Sequence, residues 1–103
     1  MRIIYITTRN AGEAKKISSH LLKKKLVGCV NIFPVESMYW WEGEMQEDTE
    51  FVILAKTTDE NYDAVEKAVK KMHEYDVPAI YYWKVDRINK DYDKWIRDQV
   101  RKA

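Results

Sequence analysis

An α+β fold is predicted, with strands and helices in the order β-α-β-β-α-β and one further helix at the C-terminus. Three observations carry this reading. Two stretches with helical spacing of apolar residues are each flanked by runs rich in β-branched and aromatic residues. Two long extended runs meet at Glu42-Gly43, a two-residue turn signal with Gly where positive φ is required. The 103 residues suit one domain, 1–103, without linkers, repeats or low-complexity segments.

The elements follow in order. Arg2 to Thr7 is β-branched and aromatic, and reads as a strand. Asn10 with Glu13 three residues later marks a helix start, after which Ala14, Ile17, Leu21 and Leu22 recur at helical spacing to about Leu26. Lys23, Lys24 and Lys25 then occupy the last turn, where cations complement the helix dipole; this accounts for them without a polyanion site. Beyond Gly28 the chain is extended through Phe33, with an interruption expected at Pro34, and resumes from Val35 to Trp41. The second arm of the hairpin runs from Glu44 to about Thr57. A second helix starts near Thr58 or Asp59, carries Tyr62, Val65, Val69 and Met72 on one stripe, and ends about His73. Val77-Pro78 stops it, because the residue before proline disfavours helical backbone. Ala79 to Val85 forms the fourth strand, and Asn89 opens the last helix with Tyr92, Trp95, Ile96 and Val100 expected inward. This order is the ferredoxin-like split βαβ pattern with a long hairpin between its second and third strands, both main helices lying on one face of an antiparallel sheet.

The strands are apolar on both sides, which that layout leaves unexplained for a lone subunit. Side chains alternate along a strand, so Tyr39 and Trp41 share one face while Met38 and Trp40 share the other. Phe51, Ile53 and Ala55 oppose Val52 and Leu54 in the same way. An apolar face of that extent implies a subunit interface, and other copies of the chain are the expected cover.

Composition bounds the function. Lys plus Arg number 18 and Asp plus Glu 17, so a net charge of +1 provides no general attraction to nucleic acid or an anionic membrane. No run of about 18 apolar residues is present for a membrane span. Charged residues at 34%, against a typical ~25%, match a heat-adapted, ion-paired surface and hence a thermostable protein. One cysteine forms no internal disulfide and fits a reducing, cytoplasmic setting.

If Glu42-Gly43 closes the hairpin, Trp41 faces Glu44 and Cys29 lies opposite Lys56 on one sheet face; a bulge at Pro34 would shift this by one residue. A neighbouring ammonium would make the thiol a better metal ligand or nucleophile, whereas an inert core cysteine is the competing reading. His73 with Asp76 combines imidazole and carboxylate at a helix end, a pair suited to a transition metal, or alternatively a histidine compensating the helix dipole. Zinc-type spacing, a Gly-rich phosphate loop and a nucleophile elbow are all missing, which argues against the common enzyme classes.

The chain resembles the CutA divalent-cation-tolerance family. The resemblance rests on Cys29-Val-Asn-Ile32, Ser37-x-Tyr39-x-Trp41-x-Gly43, Glu50 followed by Leu54 and Lys56-Thr57, His73-x-Tyr75-Asp76-x-Pro78, and Asp91-Tyr92-x-x-Trp95. It implies a homotrimer of ferredoxin-like subunits similar to PII signalling proteins, linked to tolerance of copper and other divalent metals, with no enzymatic reaction and no obligatory cofactor. It further implies clefts between subunits lined by Tyr39, Trp41, Lys56 and Tyr75 as ligand-binding residues and by Cys29 and His73 as metal ligands, for a metal ion or a small anionic ligand. Ala79 departs from the pattern by standing where many members carry Glu after Val-Pro, which removes a carboxylate. Two other function classes compete: a small enzyme using a Cys29/Lys56 cleft, and a purely structural adaptor trimer.

Overall fold

The computed structural model describes residues 1–102. Strands β1 (Arg2–Thr8), β2 (Cys29–Trp41), β3 (Glu44–Thr57) and β4 (Ile80–Lys84) form one antiparallel sheet in the order β2-β3-β1-β4. Helices α1 (Ala11–Lys23) and α2 (Tyr62–Met72) cover one face, a 3-10 turn at Asp59–Asn61 precedes α2, and α3 (Lys90–Gln99) follows β4. This is the ferredoxin-like arrangement that the element order predicts.

Alternation along the strands builds the core. Ile32, Ile53, Ile6 and Ile80 stand side by side across all four strands on the helix-covered face. Ile6 and Ile53 are fully buried there with Ile4, Ala55, Ile17, Leu21, Val65 and Val69. Of the α1 stripe, Leu21 is buried but Leu22 is exposed.

Local chemistry sets the element ends. The Asn10 side chain accepts from the Glu13 amide at 2.8 Å, and Glu13 Oε1 in turn accepts from the Arg9 amide at 2.8 Å. The helix stops at Lys23 rather than near Leu26. Lys25 takes a left-handed φ of 55°, the Leu26 amide donates to the Leu21 carbonyl, and the Lys25 amide donates to the Leu22 carbonyl. These are the paired bonds of a Schellman motif made without glycine, so the sequence carries no signal for it. At the hairpin, Glu42 (φ 50°) and Gly43 (φ 81°) both adopt left-handed backbone, the geometry of a type I′ turn.

Two expectations need correction. Pro34 does not interrupt β2: it pairs with Phe51 in an unbroken register from Cys29↔Lys56 to Trp41↔Glu44. β2 lies at the sheet edge, where a residue lacking an amide proton is tolerated. Trp95 is not inward within the chain; it is 47% exposed and stacks on Tyr92, while Ile96 and Val100 do the packing.

α3 reaches the sheet through a close approach at Gly28. A Cβ there would sit 3.2 Å from both the Ile96 carbonyl oxygen and Ile96 Cδ1. Beyond α3, the Arg101 amide donates to the Lys25 carbonyl at 2.8 Å, and Asn61 Nδ2 donates to the Arg101 carbonyl at 2.9 Å. Gly28→Ala is therefore expected to cost about 1–3 kcal/mol, the range for overpacking. Amide exchange should quicken mainly across 90–100. Unchanged protection of α3 in that variant would show that the contact is not needed for docking.

Candidate ligand site on the open sheet face

The sheet face opposite α1 and α2 carries Ile3, Tyr5, Phe33, Val52, Leu54, Tyr81 and Trp83; Val52 is buried, Tyr81 and Trp83 are exposed, and among the described residues no helix lies across most of the face. β1 pairs with β3 only over Phe51–Thr57, so Glu44 to Glu50 pair with β2 alone. The hairpin therefore projects as a two-stranded ribbon roughly 20 Å long, within a molecule 45 Å in its longest extent. Met38, Trp40 and Met45 are exposed on one side of the ribbon, and Tyr39 and Trp41 on the other. A ribbon of this kind is marginal alone.

Where the ribbon leaves the sheet, a polar corner forms. The segment after α2 passes the end of β1: His73 Nδ1 accepts from the Tyr75 amide at 3.1 Å, so Nε2 carries the proton donated to the Thr7 carbonyl at 2.6 Å. Glu13 Oε2 holds the same segment by accepting from the Glu74 amide at 3.1 Å. Tyr75 is thereby carried onto the open face, where its hydroxyl donates to Glu50 Oε2 at 2.7 Å. Two residues along β3, Asp48 accepts from the Tyr39 hydroxyl. Burial and then the Glu50 hydrogen bond push the Tyr75 phenol well above the ordinary tyrosine range. The Asp48 hydrogen bond, chiefly, pushes Tyr39 up to about 12. Tyr5 is raised by burial first, then by Tyr81 and by the Glu50 charge. Tyr39 and Tyr75 are thus hydrogen-bond donors at neutral pH.

The other end of the face differs. Cys29 does oppose Lys56, as the hairpin register requires. The Lys56 ammonium nevertheless turns to Asn31 Oδ1. The thiol neighbours Tyr92, whose phenol is raised by burial and then by its hydrogen bond to Cys29. Ile3, beside Lys56, and Thr7, bonded to His73, are four residues apart on β1, which separates the Cys29 and His73 ends of the face by roughly 13 Å along the strands. One chain does not bring these two residues together, and both His73 nitrogens are engaged by backbone. Among the described residues no three His, Cys, Asp or Glu side chains are gathered as a metal site. Tyr39 and Tyr75 do converge, while Trp41 lies out on the ribbon and Lys56 at the far end. Glu50, which the sequence offers only as part of the family pattern, and Asp48 are not among the site residues that the sequence points to. Their signal was the spacing of two on one strand face, readable once the hairpin register placed them opposite Val35 and Ser37.

Relatives share both sequence and architecture. The family described as CutA1 divalent ion tolerance protein matches residues 2–99. The divalent-cation tolerance protein CutA of Archaeoglobus fulgidus is 43% identical over 97 residues, covering 94% of this chain and 95% of that protein. The crystal structure of CutA1 from Pyrococcus horikoshii superposes with a TM-score of 0.96 at 36% identity, covering 99% of this chain and 100% of that one. A Nostoc PII-like CutA, at 22% identity and a TM-score of 0.91, shares the fold. With the family pattern spanning almost every element that builds the sheet, the ribbon and the Tyr75 corner, the chain belongs to the CutA1 divalent ion tolerance protein family.

Proposed function

We propose that the protein acts in divalent-cation tolerance as a non-enzymatic homotrimer, in which neighbouring copies cover the second sheet face and leave a ligand cleft at the Glu50 corner. The observation that carries this reading is the uncovered aromatic face together with a ribbon apolar on both sides, since a lone subunit leaves both in water. The count of three rests on the family resemblance. The tolerance role rests on the names of the relatives, such as the CutA of Archaeoglobus fulgidus. One solved structure of that protein is described as periplasmic; for this chain we favour the cytoplasm, on its single cysteine. No helix among the described residues is long and apolar enough to cross a membrane.

The enzymatic alternative is less well supported, because Lys56 serves Asn31 rather than activating Cys29. A metal bound by Cys29 and His73 would need the two residues from different copies. Light scattering is expected to return three times the 12.3 kDa subunit mass. Copper titration of chelator-stripped protein should saturate in step with the subunit count and bind more tightly than magnesium if the thiol and imidazole serve as ligands. Unchanged copper affinity in Cys29→Ser combined with His73→Ala would remove that metal site, and a monomeric mass would remove the assembly.

A further inference from the structure

Glu50 is 7% exposed, yet it faces the open side of the sheet. Tyr75 donates to one of its oxygens, and among the described residues no Lys, Arg or His forms an ion pair with it. Lys56 shares the face but lies six residues along β3, roughly 20 Å away, and is held by Asn31. A carboxylate this shielded from water gains from a positive partner, and within the chain one phenol hydrogen bond stands in its place. Its surroundings restrict what the partner is. A hard divalent ion takes six or more oxygen ligands, but Asp48 is engaged by Tyr39, and no three Asp, Glu, His or Cys side chains are gathered among the described residues. An ammonium or guanidinium group needs less: a carboxylate acceptor, here Glu50, and neighbouring oxygen atoms, of which the Tyr75 hydroxyl is one.

We infer that the Glu50 corner is a receptor for an organic cation, an ammonium or guanidinium group, with Glu50 as its counter-ion beside the Tyr75 hydroxyl. Two sources share that chemistry: a free amine or guanidine ligand, and a Lys or Arg side chain of a second copy. The inference deepens the ligand-cleft reading and rests on it for the site's location.

Calorimetric titration with agmatine, which carries both cationic groups, is set beside light scattering across a dilution series, for wild type, Glu50→Gln and Tyr75→Phe. Glu50→Gln preserves shape and still accepts from Tyr75, and thermal melting checks that each variant folds. If the cation is free, wild type binds agmatine saturably and Glu50→Gln weakens it at least tenfold, with a smaller loss in Tyr75→Phe. If it comes from a second copy, agmatine does not enter the assembled protein, and Glu50→Gln instead raises the concentration at which the assembly dissociates at least tenfold. A folded Glu50→Gln that alters neither quantity overturns the inference, as does Glu50-dependent saturation by magnesium or calcium without any response to agmatine. A monomeric wild type defeats the trimer instead, and agmatine titration of that monomer still decides the corner.

Discussion

Replacing Trp40 and Trp41 with alanine is expected to abolish assembly while leaving the interior of the subunit intact. Within one chain these side chains are 73% and 41% exposed, and neither belongs to the core cluster. Their loss opens no internal cavity. In the proposed trimer they lie on opposite sides of a ribbon that only other copies can cover, and truncating a fully buried Trp costs about 3–5 kcal/mol. Closed symmetry repeats the loss in every copy at once. Light scattering and thermal unfolding over a wide dilution range provide the test: the double variant should dissociate at concentrations where wild type stays assembled. If wild type is itself a folded monomer at micromolar concentration, with a melting temperature independent of dilution, the role assigned to the ribbon is wrong.

The same ribbon shows what was legible in the sequence. One turn dipeptide suffices to set the hairpin register, because a two-residue loop at Glu42-Gly43 pairs Trp41 with Glu44 and thereby fixes every later pair. Cys29 therefore falls opposite Lys56, as expected. What those side chains then do is not contained in the register. Lys56 has a long flexible stem and finds Asn31, two residues along β2 from Cys29, whose amide oxygen accepts a hydrogen bond from the ammonium. His73 looks like a free imidazole in sequence, but the segment beyond α2 folds back so that its own Tyr75 amide and the distant Thr7 carbonyl occupy both nitrogens. Glu50, in sequence only a residue of the family pattern, becomes a site residue when the hydroxyl of Tyr75, 25 residues later, donates to it. Periodicity reports which face a residue occupies; contacts made by loop segments and long side chains depend on tertiary placement.

Ile53→Ala is expected to destabilise the folded subunit by about 2–5 kcal/mol, the range for large-to-small changes at sites that cannot collapse. Ile53 is fully buried on a central strand and flanked in register by Ile32 and Ile6, which are themselves fixed by sheet hydrogen bonding. α1 and α2 close over this row through Ile17, Leu21, Val65 and Val69, so little freedom exists to fill the vacated volume. For a domain of this size each kcal/mol displaces the melting temperature by about 4–8 °C. Denaturant unfolding at one fixed protein concentration should therefore show a lower midpoint with an unchanged slope, since the surface exposed on unfolding is nearly the same. Met38→Ala supplies the contrast: Met38 is an exposed ribbon residue remote from the isoleucine row, and its truncation should leave the unfolding of a dissociated subunit within about 0.5 kcal/mol of wild type. A loss below about 1 kcal/mol in Ile53→Ala would show that the helices relax onto the sheet, and the row would then not be the rigid base on which the ribbon and the Glu50 corner stand.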